Sequence, residues 1–248
     1  MHYLCATGQN SFVQDKINQI KDPIFARWAK YYYTADKRKG NALKQKSNPT
    51  LPFIEGKMIS RKQKKGNSYG SAVHLSLDKL PLELRGFASG KERPLENRRG
   101  VINVIFMETS GDYLIVSYSF FTTDFFESKK YLFTYDFEGN LIDYLEFFNS
   151  IEASPNNINT IEGVLNKDMT VDVYKLVFDQ FPVVKENQST MSVVENLQGQ
   201  RIDCSYQITK GGKFKLISQH KYIPQIYKKD YLTSHLPISK GNEVILNE

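Results

Sequence analysis

The chain has 248 residues, of which 40% are hydrophobic and 13% aromatic, enough apolar material for a folded core and too much for global disorder. Its net charge of +6 conceals an asymmetry: residues 1–70 hold 14 Lys/Arg against 4 Asp/Glu, whereas residues 101–206 hold 6 against 16. No run approaches the roughly 18 consecutive apolar residues of a membrane-spanning helix, and Cys5 and Cys204 belong to no CxxC or Cys/His group of the kind that binds zinc.

The opening, with LCATGQ at 4–9, has the apolar, then small, then polar order of the end of an export signal, without its charged and apolar regions. Two readings stand, a remnant of an exported chain and a genuine cytosolic start. Across residues 12–34, apolar residues recur at three or four positions (Val13, Ile17, Ile20, Ile24, Trp28 and Tyr31 or Tyr32), which predicts helix. Pro23 divides it, so two short helices are expected, the second starting at Asp22-Pro23. Residues 35–49 and 59–71 are basic and punctuated by Gly, Pro, Asn and Ser, and read as loops. Leu51-Pro52-Phe53-Ile54 between them is expected to be a tie-down strand, and 72–84 a strand ending in a turn.

The second half is periodic. Gly111, Gly139, Asp168 and Gly199 open the similar segments GDYLI, GNLID, DMTVD and GQRID at intervals of 28, 29 and 31 residues. A near-constant period is a statement about architecture, and here each unit reads as a β-hairpin around a turn. Strands are predicted at 101–107, 112–121, 130–137, 140–148, 158–165, 169–178, 192–197, 201–209 and 213–222. Turns are expected at Glu138-Gly139-Asn140, Asn166-Lys167-Asp168, Gln198-Gly199 and Gly211-Gly212. The fold class is therefore mainly β, an antiparallel meander of hairpin repeats (a curled sheet, a barrel or a sandwich) with a short helical N-terminal segment. A six-bladed propeller would need about twice as many strands. The expected division is a helical and basic segment 1–50, a β-meander domain 51–222, and a C-terminal tail 223–248 with one further short strand at Val244-Ile245-Leu246. Ile142, Val171 and Ile202 are expected to be buried alike, each followed by an outward Asp.

The segments YLFTYDFEGNLIDYLEFF, VLNKDMTVDVYKLVF and GQRIDCSYQITKGGKFKLI resemble the hairpin series of uncharacterised exported β-meander proteins of Bacteroidetes-type bacteria. The resemblance covers about residues 100–222 and brings no functional residues with it. It implies an extracytoplasmic location, periplasmic or surface.

No GxSxG, P-loop, GxGxxG or HExxH spelling occurs, and His2, His74, His220 and His235 are scattered. Catalytic residues, a metal and a cofactor are accordingly not expected. Asp143, Asp172 and Asp203 hold equivalent repeat positions and could line a cation-binding rim, although isolated hairpin carboxylates are ordinarily solvated. Two binding features are singled out. The segment SYSFFTTDFFESKK at 117–130 joins two strands yet carries Tyr118, Phe120, Phe121, Phe125 and Phe126, which either plug the sheet or form a contact patch. The basic patch Arg38, Lys39, Arg61, Lys62, Lys64 and Lys65 either attracts an anionic partner or docks on the acidic repeats. Cations interleaved with rings at 27–39 fit only a crude nucleic-acid template, so nucleic acid is not the expected partner. The function expected is non-enzymatic binding of a protein or glycan. The alternatives are a glycan-active hydrolase with carboxylates in a sheet cleft and a toxin-neutralising protein of the immunity type.

Overall fold

A computed structural model describes residues 15–16, 18–23, 25–26, 53–54, 80–81, 84, 102–105, 113–122, 127–151, 153, 156–166, 168–186, 191–234 and 236–246. Its strands are β1 (Phe53–Ile54), β2 (Ile102–Ile105), β3 (Tyr113–Thr122), β4 (Glu127–Asp136), β5 (Leu141–Ile151), β6 (Ile158–Leu165), β7 (Thr170–Phe178), β8 (Val183–Lys185), β9 (Met191–Val193), β10 (Asn196–Ile208), β11 (Phe214–Lys221) and β12 (Gln225–Lys228). The sheet runs β11-β10-β7-β6-β5-β4-β3-β2, with β1 on β6 and β12 on β10; β8 and β9 form a separate ribbon. Every pairing is antiparallel. The fold class is the mainly β meander expected from the repeats.

Turn chemistry explains the hairpins. Gly139 (φ 85°) and Gly212 (φ 82°) take the left-handed conformation that a side chain opposes. Asp136 closes the first turn, accepting from the Asn140 N–H at 2.7 Å. In the turn before β7, Asp168 accepts from both the Thr170 N–H and the Thr170 hydroxyl.

The barrel alternative is set aside, because among the described residues β11 and β2 end the strand order without pairing with each other. The sheet is curled instead. In a flat sheet β11 and β5, four strand spacings apart, would lie about 19 Å from each other. Here the Phe214 N–H donates to Asp143 Oδ2 at 2.9 Å, and the Thr134 hydroxyl donates to the Gly212 carbonyl at 2.6 Å. The β10–β11 turn is thus folded back onto β4 and β5. The concave side encloses Tyr113, Ile115, Leu132, Phe147, Ile161, Leu165, Val171, Val173 and Ile208.

Two further clusters cover the convex side. On β3–β4, Leu114, Val116, Tyr118, Tyr131, Phe133 and Tyr135 pack against Ile20, Phe25, Leu80 and Leu84. The helical turns that bring Ile20 and Phe25 there are broken at 20–22, as Pro23 requires. Asp22 caps the second, its carboxylate accepting from the Phe25 N–H at 3.0 Å, and the Lys21 and Asp22 N–H groups both donate to the Phe137 carbonyl. Phe25 and Tyr135 lie 4.9 Å apart, centroid to centroid. Over β6, β7 and β10, the second cluster joins Ile158, Leu176 and Leu197 to the β8–β9 ribbon, Tyr227, Leu232 and Ile238. Segment 223–248 therefore supplies a strand, a short helix (Lys229–Leu232) and a 3-10 turn (Ile238–Lys240) to this layer.

Three expectations are corrected. Gln198-Gly199 is not a turn: β10 runs through it, pairing with β7 on one side and with β11 and β12 on the other, while among the described residues β9 pairs with β8 alone. Gly199 is there for close approach, since a Cβ on it would meet Phe178 Cδ1 at 2.5 Å. Nor are the three β-branched positions buried alike: Val171 is fully buried, Ile142 and Ile202 only partly. A register shift between Thr134 and Tyr135 makes Ile142 the extra residue of a bulge. Finally, 117–130 is mostly strand rather than connection, with Phe120 opposite Lys129 and Phe121 opposite Ser128; aromatic residues favour strands.

Candidate interaction surface

Directly opposed residues of an antiparallel ladder share a face. Gln200 opposes Val177, Gln198 opposes Ile226, and Ile202 lies between Lys175 and Lys221. By alternation these belong to the concave face that holds Val171 and Val173. At this end, however, nothing among the described residues closes it: Val177 is 50% exposed and Ile226 61%. The neighbouring edge continues in the same character, with Leu216, Ile217, Ile223, Val244 and Ile245 all exposed. Clustered exposed apolar residues of this kind mark contact surfaces, whereas single ones need no explanation.

The run that forms this border is basic. Between residues 207 and 228 stand five lysines (Lys210, Lys213, Lys215, Lys221, Lys228) and no acidic residue, and all five are exposed. The outer border is β11, the terminal strand. From its last residue onward the edge is already used: the Leu246 N–H donates to the Lys221 carbonyl, the Ile223 N–H donates to the Val244 carbonyl, both at 2.8 Å, and Tyr222 bridges Ile245.

A buried ionic network holds this tail in place. Arg201 donates from Nε and a terminal nitrogen to both Asp203 oxygens at 2.8 and 2.7 Å, and from its other terminal nitrogen to Glu243 at 3.0 Å. The side chains of Arg201 and Glu243 are 5% and 0% exposed. Tyr222 donates to Asp203 at 2.9 Å and Tyr231 to Glu243 at 3.1 Å. Burial opposes charge on Arg201, but the hydrogen bonds and charge of Asp203 outweigh it and raise its pKa. Burial, then the Glu243 carboxylate, pushes the Tyr231 phenol up to about 12. All these groups satisfy one another, so the network is a clamp rather than a reactive centre.

The three repeat aspartates do not form a rim. Asp143 lies on the concave side and accepts from Phe214 and from its neighbour Tyr144. Asp172 accepts from Ser205 and Asn166, and Asp203 binds Arg201. The bulge at Ile142 removes their equivalence. Among the carboxyls, burial lifts Glu146 above its ordinary value, with Lys129 and Lys175 opposing and Tyr131 beside it. A cavity of about 20 Å³ lined by Asn159, Leu176, Tyr231 and Ile238 has room for water, not for a sugar ring.

Of the aromatic segment, Tyr118 is buried in the β3–β4 cluster and Phe120 and Phe121 lie on the β3 backbone; Phe125 and Phe126 fall outside the described residues. So do Arg38, Lys39, Arg61, Lys62, Lys64, Lys65, Trp28, His2, His74 and His235. The β10–β12 surface was not singled out from sequence, although the acid-free lysine run was there to be counted. Among the described residues, no helix is long and apolar enough to cross a membrane. No family model, no curated protein and no solved structure matches this chain.

Proposed function

We propose that the protein is a non-enzymatic binding protein that engages a macromolecule, protein or glycan, through the open end of its curled sheet. The supporting observation is the exposure of Val177 and Ile226 on the concave face that also carries Lys221 and Lys228, together with exposed Leu216 and Ile217 on the bordering strand β11. A folded chain that gained nothing from this surface would do better to cover it: burying one such side chain fully is worth roughly 1.5–3 kcal/mol. Shape agrees with a large ligand, because the surface is an open shelf whose apolar and cationic groups are spread along three strands. An occupant must be extended to touch them together.

The test is position-specific photocrosslinking in extract of the source organism, with the reactive residue at Val177, Ile217 or Ile226, and at Glu138 on the far side as control. Adducts of macromolecular mass at the three shelf positions and none at the control support the reading. Equal labelling at all four, or none at any, overturns it.

A further inference from the structure

Resting on that reading, we infer that the partner is an acidic, extended peptide segment of a protein, which adds to the sheet as a strand antiparallel to β11. The tail shows the mode of pairing. Val244–Leu246 already lies antiparallel along Lys221–Ile223 on the outer side. An incoming strand of the same direction continues that line over Lys215–His220, where no strand among the described residues pairs with the outer edge; Phe214 is excluded, its N–H being held by Asp143.

The backbone groups it meets follow from the ladder. The Tyr222 N–H points inward to Arg201, and the Lys213 carbonyl inward to Thr209. Alternation from each end leaves Gln219, Leu216 and Phe214 turned outward, and of these the Phe214 N–H already donates to Asp143. The two alternations meet at Ile217, the residue skipped where the register passes from Ser205–Ser218 to Tyr206–Leu216. Strand addition gains its affinity from main-chain hydrogen bonds and its selectivity from alternate side chains. Exposed Leu216 and Ile217 supply apolar contacts, and Lys213 and Lys215 supply charge.

The same residues choose the occupant. Bulges and lysines are the devices by which edge strands resist pairing with their own kind. A second copy of β11 would bring Lys213, Lys215 and Lys221 against an equally basic strand, whereas a strand carrying Glu or Asp meets a complementary charge.

The probe is a fluorescent synthetic peptide of alternating Glu and Val, titrated into the full chain and followed by anisotropy and by amide hydrogen exchange. Binding should slow exchange at Leu216 and Gln219, whereas the Phe214 N–H, already held by Asp143, should not change. A Lys–Val peptide of the same length should bind at least about tenfold more weakly. N-methylation of alternate peptide bonds, which preserves charge but removes one edge of donors, should abolish binding; this arm needs no variant of the protein. Lys213→Glu with Lys215→Glu should weaken the Glu–Val peptide about tenfold and favour the Lys–Val one. The inference is overturned if the N-methylated peptide binds as well as the parent, or if protection falls elsewhere. It is equally overturned if an oligonucleotide competes as well as the unlabelled peptide, or if light scattering shows a dimer that Gln219→Pro dissolves. Should the peptide fail while crosslinks at Val177 and Ile217 persist, only strand addition falls. Should both fail, the binding reading falls with it.

Discussion

Replacing Arg201 with Met keeps an unbranched side chain but removes the guanidinium, which lies over the Tyr222 and Tyr174 rings and carries the charge shared by Asp203 and Glu243. Three charge-assisted hydrogen bonds of 2.7–3.0 Å are lost. The greater cost is what stays behind: Glu243, with no side-chain exposure, and Asp203, at 17%, become buried carboxylates without their cation. Breaking a buried pair from one side costs about 3–5 kcal/mol. With an urea m value of about 3 kcal/mol/M for a chain of this size, the midpoint should fall by roughly 1–1.7 M. The damage should also be located, since amide exchange at Ile223 and Leu246, whose N–H groups pair with the tail and with β11, should accelerate most. Adding Asp203→Leu and Glu243→Leu should restore most of the loss, because an apolar replacement of a whole ionic cluster is often neutral. A lone Arg201→Met within about 1 kcal/mol of the parent would refute the reasoning, as the group would then be behaving like a surface pair.

Gly199→Val should destabilise by about 1–3 kcal/mol in urea denaturation, as overpacking does, because a Cβ there meets Phe178 at 2.5 Å and the Val177 carbonyl at 2.8 Å; an unchanged midpoint would mean that Phe178 swings away freely. Thr134→Val leaves the Gly212 carbonyl without its 2.6 Å donor and should cost about 1–3 kcal/mol, with the loss read as faster exchange around the β10–β11 turn. Asp22→Ala removes the cap on Phe25 and should cost about 1 kcal/mol; no change in melting temperature would argue against the docked helical turn. Burial holds the Glu146 carboxyl above its ordinary 4.5, so the folded state binds that proton more tightly than the unfolded one. Its contribution is full below pH 4.5 and is lost as pH rises through the folded value. Glu146→Gln should therefore flatten the decline in melting temperature above pH 4.5 and leave the variant at least as stable at neutral pH. A variant less stable than the parent at neutral pH would show that the ionised form is the favoured one.

Much of the sheet was legible in the chain because its signals are local. Period-2 alternation, Gly139 and the Gly211-Gly212 pair sit within a few residues of the backbone they direct. The split at Pro23 was legible for the same reason. Gly199 misled because glycine serves two purposes, permitting a left-handed turn and permitting close approach. Phe178, the neighbour that decides between them, is 21 residues earlier in sequence and opposite it only once β7 and β10 pair.

Composition and spacing by themselves determined a mainly β meander with a helical start, and an acid-free run of lysines late in the chain. Tertiary structure alone decided the curl that seats Phe214 on Asp143 and the bulges that place Asp143 on a different face from Asp172 and Asp203. It also decided the tail that joins Glu243 to Arg201, and with them which face stays open. The physical reason is distance along the chain. Local propensities act over a few residues, whereas burial, ion pairing and edge exposure depend on which of many compatible long-range partners the collapsed chain selects.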